Sequence, residues 1–140
     1  MKIYFFLLIG LGLVLTGCST AAAEKVADEF HKKLDEGKVD YIVENLVDHE
    51  GSSEENLQEF RDFLGGVVRR GHQTNRKKTS GFNKKYTNGV TTVKLSYTFE
   101  VEGELVHERI VLVKRDEGYK LLMVTMHPDE SYVEEFTAGY

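Results

Sequence analysis

With a single cysteine among its 140 residues, the chain can form no intrachain disulfide, which leaves a free thiol, an intermolecular bridge or a covalent modification as that residue's uses. Basic residues do not predominate either. Eighteen Lys and Arg face 23 Asp and Glu, a net charge of −5 that disfavours a nucleic-acid role. The longest apolar run, Ile3 to Leu15, would reach only roughly 20 Å as a helix, short of the ~30 Å hydrocarbon core of a bilayer. Ligand motifs are missing too. No two histidines share a helical face and the cysteine stands alone, which argues against zinc. Residues 66–72 (GVVRRGH) have the glycine spacing of a phosphate loop but lack its lysine and hydroxyl, so they read as a helix end. Glu100, Glu102, Glu104 and Glu108 do not follow a calcium-loop pattern and read as solvated strand ends. No cofactor is expected.

What is present begins at the amino terminus. Lys2 gives a positive start, an apolar run follows, and the small residues Thr16 and Gly17 precede Cys18, which is the plan of a secretory signal. Leu15-Thr16-Gly17-Cys18 resembles the lipobox of bacterial lipoproteins at all four positions. That resemblance implies a diacylglyceryl group on the Cys18 sulfur, cleavage between Gly17 and Cys18, and acylation of the new amino terminus. Several acyl chains at ~0.8 kcal/mol per buried methylene give a long-lived anchor without a transmembrane helix. Loss of residues 1–17 removes one lysine, leaving 17 basic against 23 acidic side chains, a net −6. Ser19 resembles the residue that sends such proteins to the outer membrane, on its periplasmic side, in bacteria with two membranes. With one membrane the anchor lies in the outer face of the plasma membrane. The implied address is therefore the bacterial cell envelope.

The remaining chain suits one domain over residues 22–127, joined to the lipid by a short tether at 18–21 and followed by a weakly specified tail at 128–140. Ala23, Val26, Ala27, Phe30 and Leu34 share one helical face, and Gly37 can close that helix with a left-handed cap. A shorter helix is predicted from Val39, Ile42, Val43, Leu46 and Val47. A third, carrying Leu57, Phe60, Leu64, Val67 and Val68, opens on the capping-box spacing of Ser52 and Glu55 and closes at Gly71. Gly65 and Gly66 inside it imply close packing or a bend. Beyond Gly71 the period becomes two: Val93, Leu95, Tyr97, Phe99 and Val101 alternate with polar residues. Turns at Asn88-Gly89, Glu102-Gly103 and 116–118 divide an antiparallel meander with strands at 73–86, 90–102, 104–115 and 119–126. Residues 110–113 and 121–124 are apolar on both faces, which calls for cover on both sides: helices on one, a partner subunit on the other. The fold class is therefore α+β, helices first and then a curved antiparallel four-stranded sheet. This order resembles the nuclear transport factor 2-like, or cystatin-like, fold over roughly residues 22–127. The resemblance implies a cone with a pocket at its open end and a homodimer through the sheet.

No catalytic residue is nominated. His31, His49, His72 and His107, considered with Asp48, Glu108 and Tyr97 as acid or base groups, show no spacing that brings them together, and surface or capping positions are expected for them. His107 and Glu108 are strand neighbours and point to opposite faces. Phe30, Tyr41, Phe60, Tyr97 and Phe99 are expected in the core. The one surface feature is a basic run, Arg69, Arg70, Arg76, Lys77 and Lys78, extended by Lys84 and Lys85 and suited to lipid headgroups or an acidic partner. The functional expectation is a membrane-anchored, non-enzymatic module binding an unidentified protein or small molecule. The alternatives are a small isomerase- or hydrolase-like enzyme with an acid or base in the cone, and a structural dimerising subunit.

Overall fold

The computed structural model describes residues 20–140, with Ser80, Gly81 and Phe82 described in their backbone alone. The proposed leader, its cleavage point at Gly17 and the lipid site at Cys18 lie outside the described residues. Among the described residues the architecture is α+β: four helices and a curved antiparallel sheet that does not close. Three helices come first, α1 (Ala21–Asp35), α2 (Val39–Asn45) and α3 (Glu54–Arg69). The strands follow in sequence and in spatial order, β1 (Thr74–Thr87), β2 (Val90–Val101), β3 (Glu104–Arg115) and β4 (Gly118–His127). A single parallel bridge, Val47 to Leu121, attaches the end of α2 to the outer edge of β4.

The turns explain this regular meander. Asn88 and Gly89, like Glu102 and Gly103, all have positive φ, the two-residue form whose twist matches that of paired strands. Gly37 at φ +71 follows α1, as its sequence position predicts. The cap of α3 differs by one residue. Ser53 rather than Ser52 accepts from the Asn56 backbone amide at 3.1 Å, which puts Asn56 and not Glu55 at the third helical position. Gly65 and Gly66 admit no close neighbour from another element: a Cβ at either would meet only the Arg69 guanidinium, at 3.3 and 3.9 Å.

The core lies between the helices and one sheet face. Phe30, Leu34, Ile42, Val43 and Leu64 pack on Val93, Leu95, Ile110, Leu112 and Leu121. Phe99 is buried as expected, whereas Tyr41 is partly exposed and binds Glu29. The opposite face corrects one expectation. Residues 130–136, placed by sequence in a weakly structured tail, form α4 (Glu130–Phe136), capped by Asp129 accepting from the Ser131 amide. This helix lies against β3 and β4. Its Val133 is fully buried, and so are Val111 and, nearly, Val113. The second apolar face of β3 is thus covered, at Val111 and Val113, by the chain itself.

Candidate functional site

Helix α1 carries a histidine on its apolar side. Position 31 follows Ala27 by one turn and precedes Leu34 by three residues, so the stripe that buries Phe30 buries His31 as well. Beneath it, register does the rest. Counting outward equally from the two-residue turn at Glu102-Gly103 sets Tyr97 opposite Glu108, and Lys78 of β1 faces Tyr97 from the other side. Lys78, Tyr97, Glu108 and Met126 therefore form one row across the sheet on the face that α1 crosses.

His31 meets this row. Its Nε2 lies 2.6 Å from Glu108 Oε1, and its ring stands edge-on to Tyr97 with centroids 4.7 Å apart. With Glu108 as a carboxylate, which can only accept, the proton of that bond lies on Nε2 and Nδ1 is the nitrogen left for another partner. Glu108 is fully buried, and its second oxygen, Oε2, has no hydrogen-bond partner. An unsatisfied buried acceptor costs roughly 1–3 kcal/mol, a penalty that core packing alone gives no reason to keep. Burial, aided by the carboxylates of Asp28, Glu108 and Glu24, holds the Tyr97 phenol far above its ordinary titration range. It remains a neutral hydroxyl at any physiological pH.

Above the pair opens a groove of about 650 Å³ between α1 and the β1–β2 side of the sheet, lined by His31, Tyr97 and a charged rim. The rim charges are largely committed to one another. Arg76 binds both oxygens of Asp35 at 3.1 and 3.0 Å, Lys78 binds Glu24, and Glu36 is held by Lys38 at 3.0 Å and Lys33 at 3.7 Å. Those contacts lower the Glu24 carboxyl, chiefly through the Lys78 hydrogen bond, and the Glu36 carboxyl, chiefly through Lys38. Asp28 and Lys32 make no such close pair among the described residues, Lys32 acting on the Glu36 carboxyl and Asp28 on the Tyr97 phenol through their charge. The Nε of Arg76, which also lines the groove, is buried and without a hydrogen-bond partner.

The other expected positions divide. His31 and Glu108 contradict their assignment to the surface or to strand ends, because the first lies on the helix stripe and the second on the inward register of β3. His49 does cap, donating from Nε2 to the Val43 carbonyl of α2 at 2.7 Å. His72 is exposed just past α3. His107 occupies the face opposite Glu108, with Nδ1 buried and unpartnered. Asp48 does not join the groove. Buried, it takes Arg115 on both oxygens at 3.0 and 2.8 Å and a Gly51 amide at 3.1 Å, and these contacts, the Arg115 bonds foremost, hold its carboxyl below the ordinary range. The basic run is not one patch. Arg69 and Arg70 are exposed at the end of α3, Arg76 and Lys78 turn toward α1, and Lys77 pairs with Thr98 on the other face.

Sequence reading missed a second buried charge, Arg109. It sits on the α4 side of β3, where Nε binds Glu134 at 2.9 Å, an Nη binds Glu130 at 3.1 Å and the other Nη binds the Glu108 carbonyl at 3.1 Å. Glu130 and Glu134, four residues apart on α4, were the available signal. Compared with known protein families, characterised proteins and solved structures, the chain finds no match.

Proposed function

We propose that the protein is a bacterial cell-envelope lipoprotein, held by acyl chains on Cys18, whose domain binds a small polar ligand in the groove over His31 and Glu108 without transforming it. The lipobox at residues 15–18 supports the anchor. Element order, three helices followed by a curved four-stranded antiparallel sheet, supports the nuclear transport factor 2-like assignment. The observation that carries the binding reading is the state of the rim. Arg76, Lys78, Glu24, Asp35 and Glu36 are tied into pairs, which makes a preorganised wall rather than a set of groups free to trade protons.

A second reading has one observation in its favour. A histidine held at one nitrogen by a buried carboxylate is the arrangement of a general base, and its remaining nitrogen would have to lie within ~3 Å of the proton it takes. One experiment separates the two. The low-molecular-mass extract of the producing cells is added to protein isotopically labelled at histidine and tyrosine, and both the spectrum and the extract are followed. Binding shifts the His31 and Tyr97 resonances and returns the extract unchanged. Consumption of a component, abolished by His31→Gln, would instead establish the enzyme. Undisturbed resonances would discard the groove as a site.

A further inference from the structure

We infer that the tip of the β1–β2 hairpin, with Lys84, Lys85 and Tyr86, docks on the anionic headgroups of the membrane to which Cys18 is tethered, an inference that rests on the lipid anchor proposed above. Charge distribution comes first. From Phe63 to Phe99 the chain contains no acidic residue but eight Lys and Arg, although its net charge is −5. All of β1, and β2 as far as Phe99, fall in this stretch; Arg76 and Lys78 are paired with acids of α1, which leaves Lys84 and Lys85 as the cations nearest the tip.

Position comes second. Asp35, at the end of α1, binds Arg76 near the start of β1, and Glu24, in the first turn, binds Lys78 further along. Helix α1 therefore points its amino terminus toward the hairpin tip. Thr91 lies six residues along β2 from Tyr97, so the tip row Tyr86–Thr91 is roughly 20 Å beyond the row of Tyr97 and Lys78. The start of α1 gains only about 5 Å past Glu24 in the same direction. Cys18 precedes Thr20 by two residues, and a stretch of that length reaches at most about 7 Å. Val93, the partner of Lys84, lies four residues, roughly 13 Å, from Tyr97, so a tether of that reach can extend to about the level of Lys84, while Tyr86 projects farther in the same direction. Register also places these two residues on the sheet face that α1 covers, the side from which the tether leaves.

The side chains suit the interface. Tyr86 is 74% exposed, in a conformation that leaves a large aromatic ring in solvent for no intramolecular return. Lys84 has no ion pair among the described residues, and Lys85 reaches only the Gly139 carbonyl, at 3.3 Å. An exposed aromatic flanked by lysines is the composition that settles at headgroup level.

The chain contains no tryptophan, so a single one reports its own surroundings. Tyr86→Trp is placed in the full lipidated chain, with Leu105→Trp, exposed at the opposite end of the sheet, as the control. Each is reconstituted into vesicles of brominated phosphatidylcholine with or without phosphatidylglycerol. Docking predicts quenching at position 86, stronger with phosphatidylglycerol, reduced by salt, and absent at position 105. Lys84→Gln with Lys85→Gln should weaken the contact roughly fivefold per lysine removed. A chain that floats with the vesicles yet shows no quenching at position 86, or equal quenching at both positions, overturns the docking and leaves the anchor standing. A chain that does not float overturns the anchor and this inference with it.

Discussion

At the scale of single residues, the pair His31 and Glu108 separates stability from function. Breaking a buried, hydrogen-bonded pair by removing one member leaves the other uncompensated, so Glu108→Ala is expected to cost about 3–5 kcal/mol in urea unfolding. Replacing both, His31→Leu with Glu108→Leu, should restore stability to within about 1 kcal/mol of the parent while ligand-induced shifts at Tyr97 vanish. A double variant as unstable as the single one would mean that the pair serves the fold alone. Asp48 behaves differently because its carboxyl titrates below the ordinary value of 3.8. A lowered folded-state value adds stability that is complete above the ordinary value and lost as pH falls through the folded one. The deficit of Asp48→Asn, measured by urea midpoints, should therefore stay constant from about pH 7 to pH 5 and disappear in acid. The groove pair was partly legible in the sequence. The stripe at 23, 27, 30 and 34 leaves position 31 facing inward, and the Glu102-Gly103 turn sets Tyr97 against Glu108. What sequence does not supply is how α1 lies on the sheet, and that crossing alone brings the histidine to the carboxylate.

At the scale of elements, two segments make opposite demands. Gly66 lies in a helix where an added Cβ would find only a side-chain end at 3.9 Å, so Gly66→Ala should raise stability by about 0.5–1 kcal/mol. A loss on denaturant titration would show that α3 uses the glycine for a purpose other than packing. Helix α4 is the reverse case, an element whose removal is felt elsewhere. Without residues 128–140, Val111 and Val113 lose Val133 above them and Arg109 loses Glu130 and Glu134. The shortened chain is expected to self-associate more strongly than the full one in sedimentation, and equal behaviour would contradict the covering role. The strands and turns were readable because a two-residue turn and a period of two each point to one geometry. Helix α4 was not, since seven residues carrying one deeply buried side chain leave almost no periodic signal. Its need was visible all the same in the doubly apolar β3, and the sequence left open whether a partner or the chain itself would meet it.

At the scale of the whole molecule, the separate features share one axis. The start of α1 and the tip of the β1–β2 hairpin point the same way, while the groove opens beside α1 with its rim charges paired. A domain tethered at Cys18 through so short a linker would present its cationic hairpin to the headgroups and keep its acidic remainder turned toward the solvent. The proposed tether would give the hairpin and the charge asymmetry a common orientation. Its most direct test is the intact mass of the protein recovered from the membrane fraction of its own cells. The account predicts a chain beginning at Cys18 and carrying a diacylglyceryl group; a chain still beginning at Met1, or an unmodified thiol at residue 18, would contradict it.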